Sequence, residues 1–150
     1  MTSSSSPSSS SFDGEQFKVS QRQSWDSAAL GWKEWWQTLE VAAQKVSDRL
    51  VELAEIKPDQ KVLDIATTGI EEPAVIAARK LVGLSGSINK INDNENNTGH
   101  VLATDISTEM LTVAKQRAAA LGLQDVIEFR EADAEMLKLP NSSFDVVLCR

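Results

Sequence analysis

Four short apolar runs, at residues 62–66, 100–105, 126–130 and 144–149, alternate with stretches whose apolar residues recur at helical spacing. Few folds accept such an order. Strands joined through helices pair in parallel by right-handed crossovers, so the expected architecture is an α/β fold with a doubly wound, Rossmann-like parallel sheet. The first run, VLDIA, follows a turn at Lys57, Pro58 and Asp59. Pro73 suits the first turn of a helix that continues through Ala77, Ala78 and Leu81, with Gly83 at its C-terminal cap. HVLATD is the second strand, and Ser107 can cap a helix carrying Met110, Leu111, Ala114 and Ala118 and ending near Gly122. The third strand, at 126–130, leads past Pro140 into the fourth, at 144–149.

Ahead of this core, Trp25, Trp32, Trp36, Leu39, Ala43, Val46, Leu50 and Leu53 recur at steps of seven, four and three, the mark of one long amphipathic helix, with Gly31 a point of interruption. Residues 1–23 open with a serine-rich tract that has little to bury, so a disordered tail is expected there and a partial domain over 24–150. The asparagine-rich stretch 84–99 reads as a polar insertion between the second helix and the second strand.

Composition narrows the partners. With 41% hydrophobic residues in 150, the chain can bury one core, and a net charge of -7 argues against nucleic acid or an anionic membrane surface as the primary partner. Cys149 is the single cysteine and His100 the single histidine, which leaves no disulfide and no expected metal centre, in keeping with a reducing, cytoplasmic setting. No apolar run approaches the ~20 residues that span a bilayer, and the N-terminus lacks a signal-peptide pattern.

Ligands of open α/β sheets collect at the carboxyl ends of the strands, where the strand order switches. Asp64 ends the first strand, Asp105 ends the second, and Asp133 follows the third, so three acids should surround one crevice. A carboxylate in the position of Asp105 can accept both hydroxyls of a ribose. The loop between Ala66 and Pro73 precedes a helix N-terminus, whose free N–H groups suit an anionic ligand group, and Gly69 would allow close approach. Each acid could instead merely cap a loop or helix. The tryptophans at helical spacing suit a core, although adjacent Trp35 and Trp36 cannot both face inward, so one could cover the pocket. Neither His100 nor Cys149 has the local partners that a nucleophile needs.

In order, VLDIATTGIEEPA, HVLATDIS, IEFREADAE and LPNSSFDVVLCR resemble the motifs of the class I S-adenosylmethionine-dependent methyltransferases, over about residues 24–150. The branch that it looks most similar to is that of the ubiquinone and menaquinone biosynthesis C-methyltransferases. The resemblance implies S-adenosyl-L-methionine as cofactor and a small-molecule methyl acceptor. It implies that Asp64, Ala66 and the loop through Gly69 face the methionine part and that Asp105 holds the ribose hydroxyls. Ile106 would pack on the adenine, Asp133 would accept from its exocyclic amine with Ala134 alongside, and the backbone near Cys149 would border the sulfonium. No catalytic base is singled out.

Two departures from the family pattern carry consequences. The first loop reads DIATTGIEEPA at 64–74, one residue longer than usual and with Glu71 where a glycine is expected. A side chain and a negative charge there predict weakened cofactor binding, unless the longer loop re-forms with Glu71 turned to solvent. The chain also stops after the fourth strand, which leaves that strand's edge open to a protein partner or a second copy. A cofactor-binding half that does not turn over by itself is therefore expected. The alternatives are an NAD-type module of an oxidoreductase and a non-catalytic remnant that pairs through the open edge. Asp64 argues against the NAD reading, because dehydrogenase fingerprints place their glycines there.

Overall fold

The computed structural model describes residues 12–67, 73–83 and 99–150. In chain order these form α1 (Gly14–Leu53), β1 (Lys61–Ile65), α2 (Pro73–Leu81), β2 (His100–Asp105), α3 (Thr108–Ala120), β3 (Ile127–Glu131) and β4 (Val146–Cys149). The strands make one parallel sheet in the order β3-β2-β1-β4. The strands lie where the apolar runs put them, with ends shifted by a residue or two.

Helix α1 departs most from expectation. It opens at Gly14, where the Oδ1 of Asp13 accepts the N–H groups of Glu15 and Gln16, each at 3.1 Å, and so satisfies donors that the first turn leaves over. Residues 14–23, expected in the tail, are helical, and the helix passes Gly31 without a break. Apolar periodicity misses this segment because its contacts with the rest of the chain are polar. The serine-rich residues 1–11, the first-loop residues 68–72 with Gly69 and Glu71, and residues 84–98 of the polar insertion lie outside the described residues.

The sheet and its helices share one apolar core. On one face, Val62, Val101, Ala103, Ile127 and Leu148 pack with Ala74, Ala77, Ala78 and Leu81 of α2, Ala118 of α3, and Val51 of α1. The small alanines let α2 approach the sheet closely, and each fully buried Val or Leu stabilises the fold by about 1.5–3 kcal/mol. Helix α3 stops in a Schellman motif: the N–H of Leu123 donates to the Ala118 carbonyl at 2.9 Å, and that of Gly122 to Ala119 at 3.1 Å. Gly122 takes a φ of 69°, the left-handed conformation that this ending requires, and Leu123 is buried behind it. Gly99 leads into β2 against the 57–60 turn, and a Cβ on it would lie 2.1 Å from the Pro58 carbonyl oxygen.

The order reverses at β1, whose neighbours are β2 on one side and β4 on the other. That reversal opens a crevice at the carboxyl ends of the strands.

Candidate functional site

A cleft of about 480 Å³ occupies this position. Its floor is Ile65 at the end of β1 and Ala66 just after it, Thr104 and Asp105 at the end of β2 and Ile106 just after it, residues 132–135 after β3, and Arg150 after β4. Lys18, Trp25 and Trp32 of α1 close one side. The volume is in the range of small-molecule and cofactor sites, roughly 300–1,000 Å³.

The floor is fixed by backbone constraints. Immediately after β1, Ala66 takes a φ of 63°, a left-handed conformation that costs a non-glycine residue about 1–3 kcal/mol and tends to gather at functional sites. The turn it makes is tied to β2: the Thr67 N–H donates to the Thr104 carbonyl at 2.9 Å, and the Thr104 hydroxyl to the Asp64 carbonyl at 3.1 Å.

The three sequence acids part company here. Asp105 lines the cleft while only 7% exposed, and its Oδ1 accepts the Ser107 N–H at 2.7 Å. Burial pushes its pKa above the ordinary carboxylate value, against the pull of the Ser107 and Ile106 N–H groups, and the nearby Asp26 charge adds to the rise. Asp133 also lines the cleft, with its Oδ2 accepting the Lys18 ammonium at 2.8 Å and its Oδ1 the Glu135 N–H at 2.9 Å. The Lys18 hydrogen bond, ahead of that N–H, holds the Asp133 carboxyl below its usual range, and the same bond raises Lys18. Asp64 is 1% exposed, lies on the core face of β1, accepts the Thr67 hydroxyl at 2.8 Å, and is not among the cleft-lining residues.

Ala66, Ile106 and Ala134 all line the cleft. Cys149 ends β4 in register with Ile65, exposed and outside the lining, while the next residue, Arg150, reaches it. Of the tryptophans, Trp25 and Trp32 wall the cleft in an edge-to-face pair with centroids 6.0 Å apart. Trp36 instead stacks under the Arg117 guanidinium of α3 at 3.9 Å, and Trp35 is 60% exposed. Lys18, Glu135 and Arg150 are site residues that the sequence reading missed; the signal for Lys18 was its seven-residue spacing from Trp25, which puts both on one face of α1. Among the described residues no group of three His, Cys, Asp or Glu side chains could hold a metal ion, and no helix is long and apolar enough to cross a membrane.

Two acids at neighbouring strand ends, with an apolar floor between them and aromatic rings at the side, make a receptor for a flat ligand that donates hydrogen bonds at two separated points. The chain matches the family model for a methyltransferase domain over residues 82–150. It is 35% identical over 98 residues to the ubiquinone/menaquinone biosynthesis C-methyltransferase UbiE of Ectopseudomonas mendocina, a match covering 65% of this chain and 32% of that protein. The chain thus spans about a third of the length of such relatives. Among solved structures, a SAM-dependent methyltransferase from Aquifex aeolicus superimposes with a TM-score of 0.56 at 17% identity, over 78% of this chain and 55% of that one. An RNA methyltransferase from Salinibacter ruber, in complex with S-adenosyl-L-homocysteine, gives a TM-score of 0.51 at 21% identity, over 70% and 56%. Sequence motifs, strand order and these matches all resemble those of the class I S-adenosylmethionine-dependent methyltransferases. Within that class it resembles the UbiE C-methyltransferases.

Proposed function

We propose that this chain is the cofactor-binding portion of a methyltransferase that uses S-adenosyl-L-methionine to methylate a small-molecule acceptor. One observation carries the reading: the buried Asp105 and the Lys18-paired Asp133 stand at adjacent strand ends of one cleft with apolar Ile106 and Ala134 beside them. Ribose hydroxyls would donate to Asp105 and the adenine amine to Asp133, while Ile106 packs on the ring. Charge-assisted bonds of this kind contribute roughly 1.5–3 kcal/mol each. The turn at Ala66 and the loop through Gly69 would receive the amino-acid end of the cofactor, with Asp64 bracing that turn from below through Thr67. The backbone at Cys149 and Arg150 would border the sulfonium.

When bound, the cofactor would supply an electrophilic methyl group for transfer to an acceptor nucleophile, with the sulfur as leaving group. What these residues contribute is position, and in such displacements positioning supplies much of the rate. A cytoplasmic setting belongs to the same reading, supported by the single exposed thiol of Cys149. So does pairing of the β4 edge with a partner strand, supported by the place of β4 at the end of the strand order and by exposed Val147.

Calorimetric titration with S-adenosylmethionine, S-adenosylhomocysteine and NAD tests the proposal. The two sulfur compounds are expected to bind at one site and NAD to give no heat. Binding of NAD alone would overturn it.

A further inference from the structure

Polar contacts from one face of α1 reach the acids of the cleft. Lys18 Nζ lies 2.8 Å from Asp133 Oδ2 and 2.6 Å from Glu135 Oε2, Arg22 pairs with Glu131, and Asp26 Oδ1 accepts the Ser107 hydroxyl at 2.6 Å. Ser107 in turn presents its N–H to Asp105. The residues involved, 18, 22, 25, 26 and 32, follow helical spacing, so the strip that carries the charged contacts also carries Trp25 and Trp32 into the cleft wall.

We propose that Lys18 is a built-in competitor for the nucleoside subsite: it pairs with Asp133, the carboxylate to which the adenine amine would donate, so ligand entry and the docking of the N-terminal half of α1 are coupled. The inference rests on the reading of this cleft as an adenosine site. Asp133 Oδ1 accepts the Glu135 N–H and Oδ2 the Lys18 ammonium, so an incoming amine must share this carboxylate with a charged donor or displace it. A neutral donor makes the weaker bond to a carboxylate, and the exchange subtracts from affinity. The displaced ammonium is not stranded. Glu135 already holds it, and Glu15 lies 3.6 Å away, one turn back on the same helix. Competition is therefore modest and reversible, as befits a pair that is only partly buried.

The chain carries its own reporter, since it has no tyrosine and all four tryptophans lie on α1. The test compares the whole chain with its Lys18→Met and Lys18→Arg variants, titrated with S-adenosylhomocysteine by calorimetry and followed by acrylamide quenching of tryptophan emission. Lys18→Met is expected to bind about two- to fivefold tighter, the range set by one partly exposed ion pair, and to quench more readily without ligand. Lys18→Arg, which keeps the pair, should track the parent chain. Added salt should raise the affinity of the parent and leave Lys18→Met unchanged. Equal or weaker binding by Lys18→Met, with the parent binding normally, overturns the competitor role and leaves the adenosine reading standing. If neither parent nor variant binds, the adenosine reading itself fails and the competitor role with it.

Discussion

The two halves of α1 hold to the same body by different forces. The C-terminal half is packed: Val51 is 2% exposed within the core that α2 and the sheet share, and Leu50 lies against it. The N-terminal half buries only Ala29 fully and is otherwise tied by polar contacts from Lys18, Arg22 and Asp26 to Asp133, Glu131 and Ser107, while Phe17 and Val19 stay exposed. Apolar burial is insensitive to salt, whereas partly exposed ion pairs are screened and worth at most about 1 kcal/mol each. One helix thus combines an apolar anchor with a largely polar strap, and the strap is the half that meets the cleft.

The largest effect is expected where the cleft and the fold make opposite demands. Asp105→Asn keeps an oxygen for the Ser107 N–H but loses the charge, so affinity for S-adenosylhomocysteine should fall about 10- to 100-fold by calorimetry. The ligand-free chain should not lose stability. Burial raises the Asp105 pKa, so keeping it ionised costs the fold stability once pH rises past the ordinary carboxylate value, and Asn removes that cost. A clear drop in the melting temperature of Asp105→Asn would contradict this account of the buried acid.

Next comes the anchor. Val51→Ala should destabilise by roughly 1–3 kcal/mol in urea unfolding, with no change in the salt dependence of stability. Gly99→Ala belongs in the same range, since its new methyl meets the Pro58 carbonyl and the 57–60 turn must shift. Smaller still is the strap: Arg22→Ala should cost under about 1 kcal/mol, and the difference from the parent should vanish at high salt. If Arg22→Ala cost as much as Val51→Ala, the division of α1 into two regimes would be wrong.

The mildest perturbation is acid. Because Lys18 lowers the Asp133 pKa, their pairing contributes fully at neutral pH and is lost only as pH falls below the ordinary carboxylate range. Tryptophan quenching of the parent chain should increase over that range by more than in Lys18→Met, in which the Asp133 pair is gone.

The same contrast explains what the sequence disclosed. The sheet was legible because the middle of β1 and nearly all of β2 are buried, which leaves short, mostly apolar runs. Helix α3 was legible at both ends, since Ser107 accepts the Met110 N–H and Gly122 takes the left-handed turn, both local events. Of the proposed pocket, Asp105 and Asp133 could be placed from the strand ends, and Ile106 and Ala134 from the family resemblance. Residues 14–23 could not, because their contacts bridge 109 and 115 positions of sequence and no periodicity records a pairing at that distance. The burial of Asp64 was hidden for a related reason: its partner Thr67 lies around a turn whose left-handed φ is carried by Ala66, a residue type that gives no hint of it.

The central claim is that the carboxyl ends of β1, β2 and β3 form a nucleoside site closed by the N-terminal half of α1. It is tested most directly by amide chemical-shift mapping of the whole chain during titration with S-adenosylhomocysteine. Shifts should concentrate at Ala66, Asp105, Ile106, Asp133 and Ala134, with Lys18 and Trp32 responding in step. Shifts confined instead to the groove of Lys33, Trp36 and Val113 between α1 and α3 would contradict it.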